Sequence, residues 1–135
     1  MKKLPHLLRV TEAPELYAPL IASARSLALR VGWLELGASP DPLPASLARA
    51  AELGVLRAVA AGQARVATVK PLSGPAVLAD LLREHFRGCA LVLVNGQIEA
   101  PLLTADGEQW RVDPPGRLLT ADQLAAALRR PRPWE

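Results

Sequence analysis

The sequence predicts a mixed α/β (α+β) fold: a single mixed sheet in the order β-α-β-α-β-β-α-β-β-β-β-α, covered by three or four helices. Three observations carry this expectation. A helical stripe closed by Gly88 runs straight into Cys89-Ala-Leu-Val-Leu-Val94, an apolar run without the alternation of a half-exposed strand. Strand and helix patterns alternate early in the chain, which suits parallel strands with right-handed crossovers. Turn signals then crowd together at Asn95-Gly96, Asp106-Gly107 and Pro114-Pro115-Gly116, which suits antiparallel hairpins.

Leu7 to Val10 reads as the first strand. Residues 14 to 30 read as a helix whose stripe is Leu16, Leu20, Ala24 and Leu27. Pro19 within a helix would cost about 3 kcal/mol. The helix proper therefore starts near Pro19, or a first turn from Pro14 is kinked against it. Val31 to Leu36 follows as a strand bearing Trp33 and Glu35. Gly37 to Pro44 is a proline-stiffened loop, and residues 44 to 53 form a short helix stopped by Gly54. Residues 55–60 and 63–70 pair across Ala61-Gly62. That register puts Leu56, Ala58, Arg65 and Ala67 on one face, and Val55, Arg57, Val59, Ala64, Val66 and Thr68 on the other. Arginines on both faces point to a partly solvated ribbon.

Ser73 is a candidate helix cap, with Pro75 near the helix start. Val77, Leu78, Leu81, Leu82 and Phe86 form the stripe, and Gly88 supplies a left-handed stop. The strand from Cys89 to Val94 should be covered on both faces. Asn95-Gly96 should then turn the chain back into Gln97 to Leu103, with Ile98, Ala100 and Leu102 on one face. Pro101 would place that partner at or near a sheet edge. Gln109 to Asp113 is a strand with Trp110 and Val112 on one side, and Arg117 to Leu119 is a short one. Thr120 and Gln123 have capping-box spacing for a last helix, residues 121–130, buried through Leu124 and Leu128.

One globular domain over residues 1–130 with a short basic, proline-rich tail at 131–135 is the natural division of 135 residues. Half the residues are apolar and 21% are charged, so the bulk of the chain is expected to be ordered. The single Cys89 excludes an intrachain disulfide and a multi-cysteine metal site. The net charge is +3, carried by basic residues scattered along the sequence. Thirteen of the sixteen basic residues are Arg, and Asn, Met and Cys occur once each, a mix that suits a thermophile or a GC-rich genome. Pro5, His6 and Arg9 interrupt any signal-like core after Lys2 and Lys3, and no run reaches membrane-span length. A cytoplasmic protein without membrane contact is expected.

No catalytic constellation stands out, so the reading leans away from an enzyme, and no cofactor or metal is expected. Lys70, Ser73 and Gly74 are a candidate anion site, where free N–H groups and an ammonium meet. Its ordinary alternative is a helix cap, and the phosphate-loop fingerprints GxGxxG and GxxxxGK[ST] are absent. His85 and Cys89 have a spacing that a Cys–His nucleophile could use, but Cys89 opens an apolar run where cysteine behaves as a small hydrophobe. Glu35 sits at a strand end, where mixed sheets open on crevices, without an identifiable partner. His6 and His85 lack the further ligands of a metal site. Candidate nucleic-acid contacts are Arg57 and Arg65 on the ribbon, and Arg129, Arg130, Arg132 and Trp134 at the C-terminal end. Trp134 is read as frayed, as docked on its own chain or a partner subunit, or as stacked on a base.

The function expected first is a non-enzymatic, self-associating binding or accessory domain, hence a homo-oligomer. An RNA- or nucleotide-phosphate-binding module is the alternative. A small enzyme with a pocket at strand ends near Glu35 and Ser73 is the third.

Overall fold

The computed structural model describes residues 4–36, 45–53, 55, 57–70, 72 and 77–135. The chain divides into two compact units, one formed by Met1–Gly37 with Leu78–Glu135 and the other by Ala38–Val77. The first contains β1 (His6–Arg9), α1 (Ala18–Ser26), β2 (Arg30–Glu35), α3 (Leu78–His85), β5 (Cys89–Asn95), β6 (Leu102–Asp106), β7 (Gln109–Asp113), β8 (Arg117–Leu119) and α4 (Ala121–Ala127). The second contains α2 (Ala45–Glu52), β3 (Ala58–Ala61) and β4 (Val66–Val69). The element order is the one the sequence predicts.

Pro19 resolves as a helix-starting residue. Pro14–Tyr17 forms a 3-10 turn, and α1 begins at Ala18 with the proline in its first turn, where its missing N–H breaks no bond. The buried stripe is Tyr17, Leu20 and Ala24, while Leu16 is 42% exposed. α1 closes with Ala28 in the left-handed region, φ 59°. α3 starts at Leu78, and Val77 before it is exposed. The proposed cap at Ser73 and the Pro75 start lie outside the described residues. α4 carries the full capping box: Gln123 N donates to Thr120 Oγ1 (3.1 Å), and Thr120 N donates to Gln123 Oε1 (2.9 Å).

The first unit holds a six-stranded mixed sheet in the order β2-β5-β1-β6-β7-β8. β5 lies between β2 and β1 and is parallel to both, with Trp33 and Leu8 each opposite Leu93. β6, β7 and β8 form an antiparallel meander. The expected hairpin after Asn95-Gly96 does not form. Both edges of β5 are taken by parallel strands, and burying an all-apolar strand between two neighbours outweighs a local turn preference. Gly96 is needed instead for close approach, since a Cβ there would stand 2.7 Å from Leu36 Cβ. Residues 96–101 carry the chain past the end of β1 to β6, which touches β1 through the pair Arg9–Leu102. Parallel neighbours ordinarily need a long crossover. Here a short link suffices because β6 begins where β1 and β5 stop. β6 is an interior strand, and Pro101 lies just before it, where its carbonyl accepts from Arg9 N (2.8 Å).

The expectation of a single sheet also needs correction. β3 and β4 form their own two-stranded antiparallel sheet. Its turn spans residues 62–65 rather than Ala61-Gly62, with Ala61 opposite Val66 and Gly62 N donating to Arg65 O (2.9 Å). The pairing has moved by an even number of residues, so the two faces keep their expected composition. Ala58 is buried, whereas Val59 and Val66 are 55% and 65% exposed, as a solvated ribbon requires.

Leu91, Val92, Leu93 and Val94 are all fully buried. Leu91 and Leu93 face α1 and α4, in a core with Leu8, Tyr17, Leu20, Leu103, Trp110, Val112 and Leu124. Val92 and Val94 face α3 through Leu82, with Leu7, Leu34, Leu78 and Phe86 around them. Each such side chain contributes about 1.5–3 kcal/mol by leaving water. Tyr17 ties the larger core together, stacking on Trp110 (5.6 Å between centroids, 25°) and tilting against Trp33 (5.8 Å). Its hydroxyl is satisfied by Thr11 N and Glu12 N at 3.3 and 3.2 Å.

Candidate functional site

α1 follows β1 and α3 precedes β5, so both helices run antiparallel to these parallel strands and end beside the strands' N-terminal ends. α4 ends there too, since His6 Nε2 donates to the Leu128 carbonyl at 3.1 Å. Helix C-termini favour cations nearby. The sequence supplies Arg25 and Arg30 around the end of α1, Arg83 and Arg87 at the end of α3, and Arg129 and Arg130 beyond α4. Topology therefore gathers six arginines that lie far apart in sequence.

Three adjoining cavities open among them. The largest, about 860 Å³, is lined by Leu4, Pro5, Leu82, Phe86 and Gly88 together with Arg83 and Arg87. The second, about 540 Å³, shares Leu4 and Pro5 and adds His6, Cys89, Ala90, Leu128, Arg129 and Arg130. The third, about 330 Å³, shares Cys89 and adds Ile21, Leu29, Arg25 and Arg30.

Several guanidiniums are held in place by the backbone. Arg87 Nε donates to Arg83 O (3.0 Å), Arg129 to Leu27 O (3.1 Å) and Arg130 to Pro133 O (3.3 Å). Arg83 pairs with Asp80 at 2.6 Å. Three helix ends present only about half a negative charge each. Six guanidiniums exceed that, even after Asp80 and Glu84 on α3 are both counted against them. The end of the sheet is therefore net cationic.

Cys89 stands opposite Arg30 in the β2–β5 register. Burial pushes its thiol pKa up, and the Arg30 charge pulls the other way more weakly. That is the reverse of an activated nucleophile. His85 packs edge-on against Phe86, 6.5 Å between centroids. Glu35, at the opposite end of the strands from these cavities, accepts from Trp33 Nε1 at 3.2 Å. Among the described residues, no three His, Cys, Asp or Glu side chains are grouped to hold a metal ion. No helix among the described residues is long and apolar enough to cross a membrane.

The residues singled out by sequence fall into three places. Ser73 and Gly74 lie outside the described residues, and Lys70 is exposed at the end of β4. Arg57 and Arg65 flank opposite ends of the ribbon, five residue steps apart along β4, roughly 17 Å. They do not form one patch. Arg129 and Arg130 join the cationic end of the other unit, while Arg132 pairs with Glu135 at 3.5 Å. Trp134 is docked, packed against its own core and edge-on to His6 at 6.3 Å.

Sequence reading missed Leu4, Pro5, His6, Arg25, Arg30, Arg83, Phe86 and Arg87 as members of one site. The available signal was an arginine pair near each of three helix ends. It becomes legible only with the parallel strand order. No protein-family model matches this chain, and no curated protein matches it in sequence.

Proposed function

We propose that this chain is a non-enzymatic binding domain that receives an anionic partner at the arginine-lined end of its six-stranded sheet. The observation that supports this is the gathering of six guanidiniums around adjoining cavities, in excess of what three helix ends require. The raised thiol pKa of Cys89, which lines two of these cavities, argues against nucleophilic chemistry at the same place. Trp134 packs in part against its own core, so the reading is built on the arginines and not on that indole.

The test is fluorescence anisotropy with labelled inorganic polyphosphate and labelled single-stranded RNA, at low and at physiological salt. Binding that weakens with salt, and that is lost in Arg87→Glu/Arg130→Glu, is the expected result. Equal binding by the double variant, or none at low salt, would remove the site from consideration. RNA bound much more tightly than polyphosphate would make the partner a nucleic acid.

A further inference from the structure

We infer that the ligand of this end is a small amphipathic anion, with its apolar body against Leu82 and Phe86 and its charged head beside His6, Arg129 and Arg130. The inference rests on the arginine-lined end being the binding site, and it names the chemistry that site selects. The two larger cavities are not equivalent. One is lined mainly by apolar groups, Leu4, Pro5, Leu82 and Phe86, beside Arg83 and Arg87. The other shares the wall of Leu4 and Pro5 and is lined by the guanidiniums of Arg129 and Arg130, with His6 Nε2 held by the Leu128 carbonyl. A ligand lying across that wall meets apolar surface on one side and cations on the other.

The cationic side is prepared for a compact head group. The Arg129 and Arg130 side chains are each anchored through one nitrogen to a backbone carbonyl, at Leu27 and Pro133. Their remaining N–H groups can serve a carboxylate or phosphate with little further loss of side-chain freedom. Size favours a small molecule as well. About 860 Å³ is in the range of sites that enclose one ligand and is lined mainly by apolar groups, as such sites are. Nucleic acid fits less well, because each of the two cavities offers a single described ring, Phe86 in one and His6 in the other, where single strands need successive stacking faces.

The probe is decyl phosphate below its micellar concentration, titrated into the full chain and read by NMR chemical shifts and Trp134 fluorescence. Decanol and inorganic phosphate serve as its two halves. Saturable binding to one site is expected, at least about tenfold tighter than either half, since several methylenes leave water together with the charge. Leu4→Asp, at a residue 54% exposed, should weaken decyl phosphate by about tenfold by placing a carboxylate on the shared wall. Arg130→Gln should weaken it as well, which guards against a folding defect in one variant. Decyl phosphate binding no better than inorganic phosphate would overturn the inference, and salt-sensitive polyphosphate binding would still leave the arginine-lined end in place. Retention on anionic phospholipid vesicles without binding of free decyl phosphate would also overturn it, because the head group would then be read from a bilayer and not in the cavities.

Discussion

Ala28 offers a substitution whose sign depends on one backbone angle. It follows α1 with φ 59°, Ala28 N donating to Arg25 O and Leu29 N to Ala24 O, both at 2.9 Å. Those two bonds are the Schellman pattern, in which the left-handed position is usually glycine. A Cβ in that region costs about 1–2 kcal/mol. Glycine would remove the strain but bring back about 0.5–1 kcal/mol of unfolded-state freedom. Ala28 is exposed, so deleting its methyl gives up little burial. Ala28→Gly should therefore stabilise the fold by about 0.5–1 kcal/mol. Ala22→Gly is the control: it is exposed within α1 and should destabilise by about 1 kcal/mol. Urea unfolding followed by tryptophan fluorescence measures both, because Trp33, Trp110 and Trp134 all lie in the unit that contains α1. Equal destabilisation by the two variants would refute the left-handed closure.

Gly32→Ala should destabilise by about 1–3 kcal/mol, because its Cβ would stand 2.5 Å from Phe86 Cδ1 and the ring must shift out of its packing. A neutral urea midpoint would mean that Phe86 does not press on β2. Cys89 should react with iodoacetamide more slowly at neutral pH than cysteine in an unstructured peptide. Its raised pKa leaves less thiolate there, so the rate should climb only above the ordinary thiol range. Rapid alkylation at neutral pH would contradict the direction of that shift.

Local chemistry made much of this fold readable. The run from Cys89 to Val94, the Thr120/Gln123 capping box and the alternation of Trp110 and Val112 each specify one element without reference to distant residues. Asn95-Gly96 misled because it is a local signal, while pairing of β5 with β1 and β2 is set by contacts across the chain. The burial of Tyr17 has no local signal, since its hydroxyl depends on Thr11 and Glu12 amides that the 3-10 turn brings into reach. Trp33 and Trp110 do pack in or against the core as expected. The candidate site was the least legible part. Arg25, Arg83 and Arg129 come to the same end of the sheet through strand order, and no spacing in the sequence encodes that order.

The join between β1 and β6 has a mechanical consequence. Main-chain pairing from the parallel strands to the meander narrows to the Arg9–Leu102 pair and the Arg9 N–Pro101 O bond, with the Arg9 side chain adding Nε–H to the Ala100 carbonyl at 2.8 Å. So narrow a seam would hinge if backbone bonding alone spanned it. Leu8, Tyr17, Leu103 and Trp110 lie against one another across it, so the two halves are riveted by side chains. Loosening those rivets should let the meander exchange its amide hydrogens while the parallel strands keep theirs.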